Sequence, residues 1–109
     1  MLAFDIETTG LNAFSDRITV ASVFDPDRGI RKSFNFCVGD VEAAKAEFLR
    51  HLDEADVICA FHGARFDLPF VIQRFNVPPE RWQPWYERLF DYFEVLSLRD
   101  VLLFNLLIF

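Results

Sequence analysis

The chain has 109 residues, of which 52% are hydrophobic and 17% aromatic, including fourteen phenylalanines. This composition excludes an intrinsically disordered chain and provides enough apolar side chains for the core of one domain of ordinary size. The net charge is −6. The basic residues form no stripe, which counts against tight binding of duplex nucleic acid through surface charge alone.

Apolar periodicity predicts four strands and two helices. In chain order, we expect strands from Leu2 to Glu7, Arg17 to Phe24 and Ile30 to Cys37, a helix from Val41 to Leu52, a strand from Val57 to Phe61, and a helix from Asp67 to Phe75. The turn signal from Asp25 to Gly29 makes the second and third strands antiparallel. The crossover through the first helix makes the fourth strand parallel to the first.

Three prolines and one histidine give further predictions about local structure. Pro78, Pro79 and Pro84 are expected to break the chain, although a short helix could begin at Pro79. His51 lies late in the first helix, where a positive charge interacts favourably with the C-terminal end of the helix dipole. We expect a single α/β domain over residues 1–109.

The two cysteines and the first residues of the sequence indicate the cellular compartment of the protein. No basic leader segment precedes the first apolar run, and Cys37 and Cys59 lack the spacing of a metal site. Both cysteines lie in apolar, strand-like runs, so we expect buried free thiols rather than a disulfide. These features predict an intracellular protein.

The first strand carries two carboxylates on one face. Side chains alternate along a strand, so Asp5 and Glu7 share one face while Phe4 and Ile6 share the other. Two like charges this close repel each other unless a cation lies between them, and hard divalent ions such as Mg²⁺ and Mn²⁺ prefer oxygen ligands. The pair therefore predicts metal binding, and a solvated strand end is the alternative.

A second polar group follows the fourth strand, in the segment from Phe61 to Phe70 (FHGARFDLPF). A turn containing glycine leads into the helix, and Asp67 lies in the first turn of that helix. There it could face the strand end that carries Asp5 and Glu7. The alternative is that Asp67 only favours the helix N-terminus electrostatically.

Together, the segment from Phe4 to Leu11 (FDIETTGL) and the segment from Phe61 to Phe70 resemble the first two motifs of the DEDD family of 3′-to-5′ exonucleases. His62 stands where one form of the second motif has asparagine. The resemblance implies an RNase H-like mixed sheet flanked by helices, with strand order 3-2-1-4 and strand 2 antiparallel. It also implies that the C-terminal part of the fold is missing.

The resemblance further implies the chemistry and the substrate. Asp5, Glu7 and Asp67 would be the catalytic metal ligands for two Mg²⁺ or Mn²⁺ ions, which would support hydrolysis of a phosphodiester at a single-stranded or frayed 3′ end of DNA or RNA. Residues of the two motifs would contact the substrate, namely Thr8, Gly10, Leu11, His62 and Phe66. Phe14, in the turn after the first motif, could stack on a terminal base, enter the core or pack within its loop.

The fourth acid of the family belongs to a third motif, Tyr-x-x-x-Asp or His-x-x-x-Asp, which we do not find in this chain. Asp91 and Asp100 are candidate substitutes, and Asp91 is also interpreted as a structural acid. Two functions therefore stay open. One is a metal-dependent 3′-to-5′ exonuclease with weak or no activity in this chain alone, and the other is a non-enzymatic remnant that serves as a structural or protein-binding subunit.

The last segment, from Val101 to Phe109, has eight apolar residues out of nine. A membrane-spanning helix needs about 20 apolar residues, so we expect no membrane partner. An exposed apolar segment of this kind favours association. We therefore expect self-association or docking on another protein through this segment, and packing onto the chain's own sheet is the alternative.

Overall fold

The computed structural model describes residues 1–60 and 63–91 of the chain. Within these residues the strands are β1 (Leu2–Thr8), β2 (Ile18–Asp25), β3 (Ile30–Asn35), β4 (Ile58–Ala60) and β5 (Leu89–Asp91). The α-helices are α1 (Val41–Glu54), α2 (Leu68–Arg74) and α3 (Pro79–Glu87). A short 3₁₀ turn, Pro26–Arg28, connects β2 to β3, and a π-helical turn, Gly63–Asp67, precedes α2.

The strands form one mixed sheet in the order β3-β2-β1-β4-β5. β2 is antiparallel to both β1 and β3, whereas β4 is parallel to both β1 and β5. The predicted order of the first four strands is confirmed. β5, which was not predicted, extends the sheet beside β4 and contributes only three residues.

The aromatic core lies between one face of the sheet and α1. The ring of Phe48 on α1 has its centroid 6.1 Å from that of Phe4 and 5.9 Å from that of Phe34. Phe75, just after α2, reaches the same ring, with centroids 6.4 Å apart. Because Phe4 and Asp5 are neighbours on β1, their side chains lie on opposite faces of the sheet. The carboxylate of Asp5 therefore lies on the face away from α1.

Polar contacts fasten α3 to the C-terminal end of α1. The carboxylate of Asp53 accepts hydrogen bonds from the Arg81 guanidinium at 2.8 Å and from Trp85 Nε1 at 2.9 Å. The guanidinium of Arg88 donates to three backbone carbonyls around the end of α1, those of Leu52, Asp53 and Ala55. These contacts supply partners to carbonyls that a helix terminus leaves without intrahelical bonds.

The end of β3 differs from the prediction, and one of the two cysteines changes its environment as a result. The Oδ1 atom of Asn35 accepts hydrogen bonds from the backbone N–H groups of Cys37, at 2.7 Å, and Val38, at 3.3 Å, and this local turn ends the strand. Cys37 is therefore exposed, and the prediction of a buried thiol is wrong there. Cys59 is buried as predicted, and both thiols are free.

Two further predictions of local structure are wrong. Pro84 does not break the chain but lies inside α3. Proline has no N–H group, so the backbone carbonyl four residues earlier lacks its intrahelical hydrogen bond. The Pro84 ring is exposed, so this carbonyl can bond to water instead. Val57 directly precedes β4 and is 39% exposed, so it is not part of the buried strand. Its N–H group bonds to the carboxylate of Asp56 at 2.8 Å.

His51 is buried on α1, with its ring centroid 5.9 Å from that of Phe34. In the part of the chain that the structure describes, its Nδ1 is the one buried side-chain nitrogen or oxygen without a hydrogen-bond partner. Burial, reinforced by the nearby charge of Arg50, lowers the pKa of His51. Burial thus opposes the charged form that would favour the C-terminus of α1.

Candidate active site

Two carboxylates lie side by side near the carboxyl end of β1. Asp5 is half-buried and Glu7 is exposed, and the two carboxyl groups are close enough to share a hydrogen bond. In the ladder with β2, Asp5 lies opposite Ser22 and Glu7 lies opposite Val20. The period of two residues along β1 brings the two acids together, as the sequence predicts.

The environment of the pair disfavours two negative charges. Burial, the charge of Glu7 and the hydrogen bond between the two carboxyl groups together raise the pKa of Asp5 to about 6. A carboxyl group in this situation binds a proton or a cation more readily than an isolated one does. Two adjacent carboxylates are also the oxygen ligands that Mg²⁺ and Mn²⁺ prefer. The chemistry of the pair therefore fits a hard divalent ion.

Asp67 is buried, with 4% of its surface exposed, and ends the π-helical turn before α2. Its backbone is α-helical (φ −63°, ψ −52°), and within residues 63–91 its carboxylate does not cap the N-terminus of α2. Among residues 1–60 and 63–91, no three or more His, Cys, Asp or Glu side chains are grouped so that they could hold a metal ion. The contribution of Asp67 to an ion site therefore stays a prediction.

The second motif is anchored against β4 and β5. A Cβ atom added at Gly63 would lie 2.9 Å from Ala60 Cβ and 2.9 Å from Leu89 Cδ1, so the absence of a side chain allows this close approach. Phe66 is half-buried and packs on Phe70, with ring centroids 5.4 Å apart. His62, the side chain of Asp91, Asp100 and the segment from Val101 to Phe109 lie outside the described residues.

The loop between β1 and β2, residues 9–17, is held together by its own side chains. The carboxylate of Asp16 accepts hydrogen bonds from the backbone N–H of Asn12 at 2.9 Å and from Thr9 Oγ1 at 3.4 Å. A Cβ atom at Gly10 would lie 2.4 Å from Asp16 Oδ2, so glycine is needed there to admit the carboxylate. Thr8 Oγ1 donates to the Gly10 carbonyl at 2.7 Å. Thr8 and Gly10, expected to contact substrate, thus also shape this loop.

Asp16 was not among the predicted site residues. Its position gave one signal, since an Asn and an Asp that follow a glycine between two strands are typical of side chains that bond to the backbone of their own turn. The sequence pattern did not show which backbone groups the carboxylate would bind.

Two large apolar side chains project from this loop into solvent. Leu11 is 86% exposed and Phe14 is 77% exposed. The interpretation of Phe14 as a core residue is therefore wrong, because a loop bonded to itself keeps the ring outside. The backbone of Phe14 is held on both sides, since its N–H donates to Asn12 Oδ1 at 2.9 Å and its carbonyl accepts from Arg74 Nη1 at 3.2 Å.

A second acidic cluster lies at the opposite end of β1, around a cavity of about 250 Å³ that is lined by Met1, Asp25, Asp27, Arg28, Glu54 and Asp56. Each acid of the cluster has a cation beside it: the Met1 ammonium lies 3.1 Å from both Asp27 and Asp56, and Arg28 lies 2.8 Å from Asp25 and 3.7 Å from Glu54. Burial acts to raise the pKa of Asp25, but hydrogen bonds from Arg28 outweigh it and hold the pKa below its ordinary value. This cluster is accounted for by structural ion pairs.

Comparisons with known proteins agree with this architecture. A family model of the RNase H superfamily matches residues 2–104. The chain is also similar to a solved structure, that of the family B DNA polymerase from the hyperthermophilic archaeon Pyrobaculum calidifontis, with 26% identity and a TM-score of 0.57. That match covers 69% of this chain and 10% of the polymerase chain, so the similarity concerns about a tenth of the polymerase. No curated protein gives a significant match.

No helix within residues 1–60 and 63–91 combines the length and the apolar character that crossing a membrane requires.

Proposed function

Because this chain belongs to the RNase H superfamily, we propose that it is a metal-dependent 3′-to-5′ exonuclease domain that acts on single-stranded or frayed ends of DNA or RNA. The observation that carries the proposal is the Asp5–Glu7 pair, in which the pKa of Asp5 is raised to about 6. Groups with strongly shifted pKa values are concentrated at functional sites. The similarity to a DNA polymerase supports a nucleic-acid substrate.

The proposed roles follow from the surroundings of each acid. Asp5, which is half-buried, would hold the ions, with Asp67 as a further ligand. Glu7, which is exposed, would hold one ion and accept a hydrogen bond from the attacking water. Bound Mg²⁺ or Mn²⁺ would supply Lewis-acid stabilisation of the phosphodiester and an acidified water. Because the net charge is −6, the bound ions would supply local positive charge that favours a polyanion at this site.

A non-enzymatic domain is the second candidate, because no group of three acids placed to hold an ion is present among the described residues. Such a domain would keep the superfamily fold and serve as a structural or protein-binding subunit. The two candidates differ in turnover, whereas ion binding by Asp5 and Glu7 alone is compatible with both.

The test is release of nucleotides from a 3′-labelled single strand in the presence of Mn²⁺, together with calorimetric titration of Mn²⁺. We expect slow release by the wild type and a loss of at least about a hundredfold in Asp5→Asn and Glu7→Gln, because a metal ligand is removed. Asp67→Asn should behave in the same way. Glu42→Gln is the matched control, since Glu42 is 84% exposed on α1 and pairs only loosely with Lys45 at 3.8 Å.

Release that is equal in the wild type and in the Asp5 and Glu7 variants, or that continues without a divalent ion, would reject the exonuclease. No release, combined with Mn²⁺ binding that Asp5→Asn abolishes, would support the second candidate. If neither release nor binding occurs, both the proposed activity and the proposed ion site are wrong.

A further inference from the structure

We propose that Thr19 is a positioning residue for the carboxylate pair: its hydroxyl fixes the end of β1 and thereby the direction in which Glu7 points relative to Asp5. This role rests on the proposed function and belongs to a residue outside both motifs. Thr19 touches neither the ion nor the nucleic acid in this scheme, and it acts only through Glu7.

The ladder between β1 and β2 is irregular at Glu7. Glu7 itself lies opposite Val20. The next residue of β1, Thr8, lies opposite Ile18. Thr19 is therefore an extra residue on β2, which makes this part of the ladder a β-bulge. Bulges are common beside active sites, where they redirect a side chain, and this one lies at a proposed metal ligand.

Packing of the core requires this bulge. Side chains alternate along a regular strand, so residues that face the core are separated by an even number of positions. Ile18 is buried in the same apolar cluster as Ala21 and Val23, although it lies an odd number of positions from both. The extra residue brings the Ile18 side chain to the core face while Val20 stays on the other face. The core therefore fixes the place of the bulge, and Thr19 occupies it.

Thr19 bonds to the chain on both sides of β2. Its Oγ1 donates to the Glu7 carbonyl at 3.1 Å, and its own carbonyl accepts from the Phe36 N–H at 2.9 Å. The bulge is thus tied to β1 through a side chain and to the segment after β3 through the backbone. Because the Glu7 side chain is exposed, its direction depends on the backbone from which it projects. Loss of the hydroxyl would release the Glu7 carbonyl and let the carboxylate move away from Asp5.

The test compares Thr19→Val, which keeps the branched shape and loses the hydroxyl, with Thr19→Ser, which keeps the hydroxyl. Calorimetric titration measures the affinity for Mn²⁺, and nucleotide release from a 3′-labelled single strand gives kcat and KM. We expect Thr19→Val to bind Mn²⁺ about tenfold more weakly and to lose about tenfold in kcat with little change in KM, because a group that orients a metal ligand is removed. Thr19→Ser should stay within about threefold of the wild type.

A second comparison separates positioning of Glu7 from support of the fold. In the Glu7→Gln background, Thr19→Val should cause no further loss of Mn²⁺ affinity, because two changes that act through one carboxylate are not additive. A role in folding alone would lower the unfolding temperature and leave the Mn²⁺ affinity of the folded protein unchanged.

Ser33→Ala is the matched control. Ser33 is an exposed residue of β3 whose hydroxyl also bonds within the sheet, to that of Ser22 at 3.0 Å. This variant loses a hydroxyl bond of the sheet without touching Glu7, so it should bind Mn²⁺ as the wild type does.

If Thr19→Val matches the wild type in Mn²⁺ affinity and kcat, or if its losses add to those of Glu7→Gln, the positioning role is wrong while the proposed function stands. If the wild type neither binds Mn²⁺ nor releases nucleotides, both proposals fail. If it binds Mn²⁺ without turnover, only the enzymatic proposal fails, and the affinities decide the role of Thr19. Should Thr19→Val not fold, Thr19→Ala takes its place, because it lacks the hydroxyl and places no methyl group against the Glu7 carbonyl.

Discussion

At Asp5, two effects act on one carboxyl group in the same direction. Burial disfavours its charge, and the neighbouring carboxylate of Glu7 repels it, so that the pKa rises to about 6. In the unfolded chain the pKa of an aspartate is about 4. Folding therefore favours the protonated form of Asp5, and the stability associated with it is fully present below about pH 4 and is lost as the pH rises through about 6.

We predict that Asp5→Asn raises the free energy of unfolding by about 1–2 kcal/mol near neutral pH, a figure reduced from the full shift because the group is partly solvated. The asparagine removes the disfavoured charge and keeps the shape. Below about pH 4 the difference should vanish, because the wild-type carboxyl is then protonated. Urea unfolding over this pH range without divalent ions measures it.

Glu42→Gln should show no such pH-dependent gain, since Glu42 is 84% exposed. Without ions, Asp5→Asn should be more stable than the wild type. Adding Mn²⁺ should make the wild type the more stable of the two, because an ion that binds only the folded state stabilises that state. A variant that is less stable than the wild type at neutral pH without ions would contradict the charge argument.

At the scale of elements, local pattern was informative where a segment is long and its period is clear. β1, β2 and α1 bury residues at the spacing of a strand or a helix, so their existence and order could be predicted. β5 could not, because a strand of three residues has too few positions to show alternation and is defined by its pairing with Ile58–Ala60. The close placement of Asp5 and Glu7 follows from the two-residue period, whereas the burial that shifts the pKa of Asp5 depends on the assembled sheet.

The contacts of Arg88 give a prediction at this scale. Its guanidinium joins the end of α3 to carbonyls of Leu52, Asp53 and Ala55, and it also donates to the Pro84 carbonyl at 3.1 Å. We expect Arg88→Lys to lower the free energy of unfolding by about 1–3 kcal/mol, because one ammonium group cannot reach these acceptors together.

Chemical denaturation of Arg88→Lys, with Arg50→Lys as the control, measures this loss. Arg50 is 57% exposed and only approaches Glu47 and Glu54, at 3.9 and 3.8 Å, so its replacement should change stability by less than about 0.5 kcal/mol. Equal stability of the two variants would show that the Arg88 contacts do not fasten α3 to α1.

At the scale of the whole molecule, net charge limits how the proposed polyanionic substrate could bind. The chain carries a net charge of −6, and the Met1 ammonium and Arg28 are already engaged by acids at the far end of β1. Divalent ions on the Asp5–Glu7 pair would change the sign of the local field at the other end.

We therefore predict that removal of divalent ions with a chelator weakens binding of a single strand by at least about tenfold, because phosphates then face uncompensated carboxylates. Anisotropy titrations with Ca²⁺ and with chelator measure the effect. Glu7→Gln should depend less on the ion, while Glu42→Gln should respond as the wild type does. Affinity that is the same with and without divalent ions would contradict this account of the site.

The loop of residues 9–17 keeps its shape through Thr9, Asn12 and Asp16, while Leu11 and Phe14 take no part in that support with their side chains. The residues that define the loop and the residues that it displays are thus different ones. Mutations at the displayed positions escape the usual conflict between stability and new activity. Substitutions at the displayed positions can therefore change the surface that this loop presents, one side chain at a time, while the loop beneath stays the same.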